Sequence, residues 1–318
     1  MSLKVVVTDE AFGAVEHERA IAGKFGAEFE HHQCTDAAGT RAVVGDACVA
    51  FVNFAPITRE VLQAMSPGAL IVRYGIGVDN VDLEAAKALQ IRVANVPDYG
   101  VDTVADHAAT AMLALLRKLV VFDREIRERG WTSIQVGRPI AGLSDTTVGL
   151  LGAGRIGLAV ARRLQAFGMT ILAADPYADA ATLADAGIEL VTVDDMLGRV
   201  DGLSLHMPLT EETRHTVNDA FIDRLRPGCM IVNTARGGLI DETALAAGLE
   251  RGAVGGAALD VFDPEPLAGD SPLRHLPNVI LTPHAAFYSE RSLDNLQRLA
   301  AEEAGRALAG EPLRCPVV

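Results

Sequence analysis

The run Gly152-Ala153-Gly154-Arg155-Ile156-Gly157 restricts the fold of this chain more than any other feature. G-x-G-x-x-G alone is a weak signal, and its flanks make it specific. Thr147–Leu151 reads as a buried strand, and Ile156, Val160, Leu164 and Phe167 follow at helical spacing. A second strand candidate, Thr170–Ala174, ends at Asp175, roughly 20 residues beyond the loop. Strand, glycine turn, helix and strand make a unit that can bind a dinucleotide. Gly152 permits the tight turn, Gly154 lets the backbone approach a pyrophosphate, and Gly157 lets the helix lie close to the sheet. The helix opening at Arg155 and Ile156 offers unpaired N–H groups and a positive dipole end to phosphates. Asp175 is placed to accept hydrogen bonds from the adenosine ribose. A 2′-phosphate would meet its like charge, so NAD is favoured over NADP.

The rest of the chain repeats this alternation. Leu3–Val7, Val49–Phe54, Leu70–Tyr74 and Ile91–Val96 read as strands before the loop, with a helix over Thr58–Met65. After it come Gly202–His206, Met230–Thr234, Gly256–Val261 and Val279–Thr282. Asn218 is a plausible N-cap for a helix over Asp219–Leu225. One long helix is expected from Asp102 to Gly130, an irregular arm over Trp131–Ser144, and a terminal helix over Ser289–Leu308. Apolar residues make up 49% and aromatic residues only 5%, a balance that suits parallel strands packed tightly under helices.

Several function classes are poor fits. Basic residues number 28 against 42 acidic ones, and no run of Lys or Arg is longer than Arg162-Arg163, so nucleic-acid binding is not expected. Cys34, Cys48, Cys229 and Cys315 form no C-x-x-C pair, so no metal site is expected. The first residues run straight into a strand without a signal-peptide pattern, and Ala108–Leu116 is too short to span a bilayer. A cytoplasmic protein without a membrane partner is the expectation.

Five ordered stretches resemble the D-isomer-specific 2-hydroxyacid dehydrogenases over nearly the whole chain. They are Tyr74-Gly75-Ile76-Gly77-Val78-Asp79-Asn80-Val81-Asp82, the glycine loop, Val232-Asn233-Thr234-Ala235-Arg236-Gly237-Gly238, Ala258-Leu259-Asp260-Val261-Phe262-Asp263-Pro264-Glu265-Pro266, and Thr282-Pro283-His284-Ala285-Ala286. The run from His284 to Glu290 looks most like the C-terminal-binding-protein branch, with phosphoglycerate dehydrogenases and hydroxypyruvate reductases as close relatives. The resemblance implies an α/β fold of two doubly wound parallel-sheet domains. An NAD-binding Rossmann domain, residues 101–286, would be inserted into a flavodoxin-like substrate domain, residues 1–100 plus 287–318. The active site would lie in the cleft and be assembled by closure.

The resemblance also assigns roles. Arg236 would clamp the carboxylate and carbonyl oxygens of a 2-oxo acid, for which its planar fork is suited. His284 would supply the proton to the developing alkoxide, and Glu265 would fix the tautomer of its imidazole. The backbone N–H groups of Ile76, Gly77 and Val78 would hold the substrate carboxylate. Asp260 would accept from the nicotinamide carboxamide. Thr103, Pro208, Thr213, Thr234 and Ala235 look like further cofactor contacts. His206 belongs either with them or, like Asp79, Asn80 and His107, with the supporting structure. Phe287, where animal C-terminal-binding proteins have Trp, either lines an apolar side-chain pocket with Tyr74 or packs the terminal helix.

The turn after Val49–Phe54, Val52-Asn53-Phe54-Ala55-Pro56, lacks the arginine usual in phosphoglycerate dehydrogenases, and a regulatory domain after Val318 is not expected. A phosphorylated substrate is therefore less expected. The reading is an NAD-dependent D-2-hydroxyacid dehydrogenase acting as a homodimer through the 102–130 helix and the arm. Phosphoglycerate dehydrogenase and glyoxylate or hydroxypyruvate reductase remain alternatives within the family. An NAD-sensing, peptide-binding corepressor is the alternative of another class.

Overall fold

The computed structural model describes residues 3–318. They fall into two compact units, one of residues up to Gly100 with Ser289–Val318, the other Val101–Tyr288.

The smaller unit holds five strands, β1 (Lys4–Val7), β2 (Glu28–His31), β3 (Val49–Val52), β4 (Leu70–Arg73) and β5 (Arg92–Ala94), all parallel in the order β2-β1-β3-β4-β5. Successive side chains point to opposite faces, so β1 sends Val6 to one core and Val5 and Val7 to the other. The second core is closed by the helix Glu290–Leu308, whose Leu296, Ala300 and Ala304 recur every four residues. Ser289 caps it by accepting from the N–H of Ser292 at 3.1 Å. Further along the same helix, the buried Glu303 carboxylate accepts from the N–H groups of Arg314 and Cys315, fixing the chain's last turn.

The larger unit holds β6 (Thr147–Leu151), β7 (Thr170–Ala174), β8 (Ile188–Leu190), β9 (Gly202–Leu205), β10 (Cys229–Asn233), β11 (Val254–Leu259) and β12 (Val279–Leu281). All are parallel, in the order β12-β11-β10-β9-β6-β7-β8. The direction of winding reverses between β6 and β9, the crevice where doubly wound sheets bind ligands beyond their carboxyl ends. The helix Val101–Leu116 buries Val104, Ala105, Ala108, Ala109, Ala111, Met112 and Leu115. Its alanines let it lie close to the sheet, where Met112 Sδ would stand only 2.6 Å from a Cβ on Gly202. No helix among the described residues is long and apolar enough to cross a membrane.

Both parallel sheets expected from the sequence are present, and the departures have physical causes. The helix expected over 102–130 is two helices, Val101–Leu116 and Leu119–Arg129, parted at Lys118, whose φ is +53°. The apolar stripe ends at Leu116; Lys118 Nζ turns inward to donate to the Gly255 carbonyl at 3.1 Å, and the second helix buries none of its residues. Phe167 lies outside the Arg155–Gln165 helix and is 50% exposed, because Gly168 turns the chain at φ +81°. The expected helix over Thr58–Met65 contracts to Arg59–Leu62, and the arm carries two short 3-10 turns, Ile134–Gly137 and Leu143–Asp145. β2 and β8 were not expected. Both are short edge strands with a neighbour on one side only, so they need little of the apolar pattern that marks central strands.

Candidate active site

The glycine loop leaves β6 at the winding reversal. Gly152 donates to the Ala174 carbonyl at 3.0 Å. Its φ of +96° is one that only glycine adopts without strain, and a Cβ there would lie 2.8 Å from the His206 carbonyl carbon. A Cβ on Gly157 would lie 2.4 Å from the Gly152 oxygen, so the helix meets the loop backbone to backbone. Gly154, the N-cap of that helix, faces open space, with nothing within 4 Å of an added Cβ. Arg155, exposed, and Ile156, half-buried, open the helix. Beside the loop lies a recess of about 1020 Å³ bordered by Leu151, Ala174, Asp175, Pro176, Val191 and Thr216. At the end of β10, the buried Thr234 hydroxyl has no hydrogen-bond partner among the described residues. An open helix start, an adjoining recess and an orphaned hydroxyl at the strand ends fit a dinucleotide laid across the sheet.

Three ionisable side chains gather past β10, β11 and β12. Arg236 precedes the short turn Gly237–Leu239, and its Nη1 donates to the Ala235 carbonyl at 2.7 Å. Glu265 lies in the loop after β11. Its Oε1 accepts from the N–H of Phe262 at 3.0 Å, and its Oε2 lies 2.8 Å from Nδ1 of His284. A carboxylate only accepts, so in the neutral imidazole the hydrogen sits on Nδ1 and Nε2 is the basic nitrogen. Partial burial pushes the Glu265 carboxyl up. The hydrogen bond and charge of His284, the Phe262 N–H and the charge of Arg236 overcome this and hold it below the usual carboxylate range. Phe287 stands edge-on to the His284 ring, centroids 6.3 Å apart.

His284 itself has φ +52°, unusual for a residue with a side chain. Its N–H donates to the Asp260 carbonyl at 2.7 Å. The Asp260 side chain, 2% exposed, holds the segment from both sides of the histidine. Oδ1 accepts from Thr282 Oγ1 at 2.5 Å and the Ala285 N–H at 2.9 Å, and Oδ2 accepts from the Ala286 N–H at 2.8 Å. His107 Nε2 reaches the same Thr282 hydroxyl at 3.2 Å. The Asp260 carboxylate is thus engaged mainly with the protein, with one acceptor site on Oδ2 left for another donor. Sequence reasoning passed over Thr282, although it stands in the same run as His284. No local pattern says that its hydroxyl meets a carboxylate 22 residues away in the chain.

The remaining candidates scatter around these groups. His206 follows β9 beside the loop, with its Nε2 2.9 Å from the Ser204 hydroxyl. Although the residue keeps some surface, burial of its ring lowers the imidazole pKa to about 4, so it is neutral at pH 7. The Pro208 carbonyl accepts from Thr213 Oγ1 at 2.8 Å, closing the turn after β9. The Ala235 N–H donates to Asn233 Oδ1 at 3.0 Å. Thr103 lies in the first turn of the Val101–Leu116 helix. Asp175 meets the loop directly: its Oδ2 accepts from the Ala153 N–H at 2.8 Å, and its Oδ1 from the Tyr177 N–H at 2.8 Å.

In the smaller unit, Ile76, Gly77 and Val78 form the turn after β4, and Ile76 is 39% exposed. Tyr74 is a correction. It is 1% exposed, its ring packs against Phe12 and Phe51, and its hydroxyl donates to Glu18 at 2.9 Å. It follows β4 with its side chain in the core, where it cannot line a pocket. Asn80 Nδ2 donates to the carbonyls of Asn53 and Ala55, tying the two turns together. Beneath the turn after β3, the buried Asp9 carboxylate accepts from the N–H groups of Asn53, Phe54 and Ala55.

Residues 109–286 match the family description "D-isomer specific 2-hydroxyacid dehydrogenase, NAD binding domain". Over 256 residues, 80% of this chain, the sequence is 42% identical to D-3-phosphoglycerate dehydrogenase of Mycobacterium bovis. The chain spans about half the length of the curated relatives it matches, 48% of that protein. Among solved structures, a protein from Thermus thermophilus superposes with TM-score 0.88 at 32% identity, covering 99% of this chain and 100% of the other. The D-lactate dehydrogenase of Aquifex aeolicus, solved with NAD and lactic acid, superposes with TM-score 0.86 at 27% identity, covering 97% and 96%.

Proposed function

The chain belongs to the D-isomer specific 2-hydroxyacid dehydrogenase family, and on that premise we propose that it is an NAD-dependent oxidoreductase interconverting a small 2-oxo acid and its D-2-hydroxy acid. The observation that carries this reading is the pairing of His284 Nδ1 with Glu265 at 2.8 Å, with the charge of Arg236 bearing on the same carboxylate. Bound at the glycine loop, NADH supplies a hydride and NAD accepts one.

The residues of the chain do the rest. Arg236 clamps the substrate carboxylate and polarises the carbonyl oxygen; the N–H groups of Ile76 to Val78 are assigned as further carboxylate donors. The imidazolium of His284 gives the Nε2 proton to the alkoxide oxygen in the reductive direction, and neutral His284 takes it back in the other. Glu265 holds the ring and stabilises the imidazolium. Asp260 and Thr282 fix the backbone that aims it. Residues 101–286 are the cofactor domain in this reading, and 1–100 with 287–318 the substrate domain.

Asp175 favours NAD over NADP, since a 2′-phosphate would face its charge. The substrate is read as unphosphorylated, with Phe287 lining the place of its side chain. The turn after β3 carries no base, and its N–H groups point down to Asp9. The likeness to a D-3-phosphoglycerate dehydrogenase supports the other reading. A screen decides between them: NADH and NADPH oxidation with glyoxylate, pyruvate, hydroxypyruvate, 3-phosphohydroxypyruvate and branched 2-oxo acids. NADH-dependent turnover is expected to be highest with an unphosphorylated acid. A preference for 3-phosphohydroxypyruvate overturns the substrate assignment, and no turnover with any 2-oxo acid overturns the activity.

A homodimer through the larger unit is part of the proposal. It is supported by the exposed apolar side chains of Leu119, Trp131 and Ile134. A cytoplasmic location is part of the proposal as well.

A further inference from the structure

The hydrogen bonds of Asp175 give it a task besides the ribose. In the sheet, β6 and β7 pair up to Leu151 and Ala174. The next rung is the Gly152 N–H on the Ala174 carbonyl at 3.0 Å. One step further, where the two strands part, the ladder continues through a side chain: the Ala153 N–H donates to Asp175 Oδ2 at 2.8 Å. The other oxygen, Oδ1, accepts from the Tyr177 N–H at 2.8 Å and closes a turn over Pro176. The carboxylate therefore joins the glycine loop to the turn after β7.

We propose that Asp175 is a positioning residue for the glycine loop, bracing it for pyrophosphate independently of any contact with the ribose. The inference rests on the proposed NAD site. Ala153 is the middle residue of Gly152-Ala153-Gly154, and its N–H is spent on Asp175. The N–H groups at the start of the Arg155–Gln165 helix are left to meet the phosphates. A carboxylate has about four acceptor sites, and two are used here, so one on each oxygen remains for a ribose hydroxyl. Brace and ribose contact are compatible, and replacing Asp175 removes both. A substitution intended to admit a 2′-phosphate then loosens the loop on which either cofactor depends.

Two measurements separate the tasks. The first is equilibrium binding of NADH and of its 2′,3′-dideoxyadenosine analogue to the wild-type protein and to Asp175→Ala and Asp175→Asn. If the carboxylate braces the loop, Asp175→Ala binds the dideoxy analogue about tenfold more weakly than the wild type does, the loss of one charge-assisted hydrogen bond. The penalty with NADH is larger still. Equal affinity of wild type and variant for the analogue overturns the brace and leaves a ribose contact alone.

The second is amide hydrogen exchange of Ala153 in the cofactor-free protein. It is expected to speed up at least tenfold in Asp175→Ala while Leu150, inside β6, is unchanged. Unchanged Ala153 exchange overturns the proposal. This arm uses no cofactor. Failure of wild-type NADH binding would therefore sink the functional reading while the exchange result still decides the brace. Unchanged Leu150 exchange also shows that the variant is folded.

Discussion

At the scale of single residues, the candidate site depends on a histidine held in an uncommon conformation. His284 sits at φ +52°, at a cost of order 1–3 kcal/mol that the surrounding bonds must outweigh. Its substitution by alanine should lower turnover about 10²–10⁴-fold, the usual span for a general acid, with NADH affinity within twofold of wild type. Steady-state kinetics with a fluorescence binding assay checks this, and undiminished turnover would refute the acid assignment. A second histidine makes a prediction about stability. Burial lowers His206 to about 4, whereas in the unfolded chain it titrates near the ordinary 6.5. Between those values the unfolded state binds a proton that the folded state refuses. The contribution is therefore fully present above about pH 6.5 and is lost as pH falls toward 4. The loss should be on the order of 1–2 kcal/mol, discounted for the residue's partial exposure. Denaturant titrations from pH 7 to 4.5 should show a smaller acid loss in His206→Gln than in the wild type.

At the scale of elements, the loop after β12 is shaped by a carboxylate on the strand beside it. Asp260 follows β11 and collects Thr282, Ala285 and Ala286 across the gap to β12. Removing it in Asp260→Ala leaves buried donors unpaired, which should cost about 3 kcal/mol or more. Thermal unfolding measures that loss. If the tether also aims His284, Thr282→Val should lower kcat more than it raises KM while barely moving the unfolding midpoint. The break at Lys118 belongs to this scale too. The sequence pattern over 102–130 is helical on both sides of it, yet Lys118 turns in toward Gly255, a partner 137 positions away. A reading of neighbours within one or two turns has no access to such a partner. For the same reason β2 and β8 escape notice, since an edge strand such as Glu28–His31 is defined by the strand it joins.

At the scale of the whole molecule, the exposed apolar side chains of the larger unit predict association. Trp131 is 85% exposed and Ile134 68%, three positions apart in the chain. Light scattering should give twice the 33.6 kDa chain mass, and Trp131→Asp should shift it toward the single-chain value. A wild-type protein that scatters as a monomer contradicts the dimer. The net charge of −14 does not argue against an anionic substrate, because the anion would be read locally by Arg236 and a turn of N–H groups.

The sequence by itself determined the parallel-sheet architecture and the place of the glycine loop. Both are written in short-range signals: apolar runs of strand length, helical spacing behind Gly157, and glycines where a Cβ at Gly152 or Gly157 would strike backbone. Its likeness to a known family pointed to the side chains Arg236, Glu265 and His284, though not to the geometry that joins them. Only the tertiary structure decided that Glu265 meets His284 at 2.8 Å, that Asp260 spends most of its carboxylate on the loop, and that Tyr74 is core. The physical reason is distance along the chain. Steric and periodic preferences act over a few residues, whereas these contacts are made when the order of strands brings separate loops to one end of a sheet.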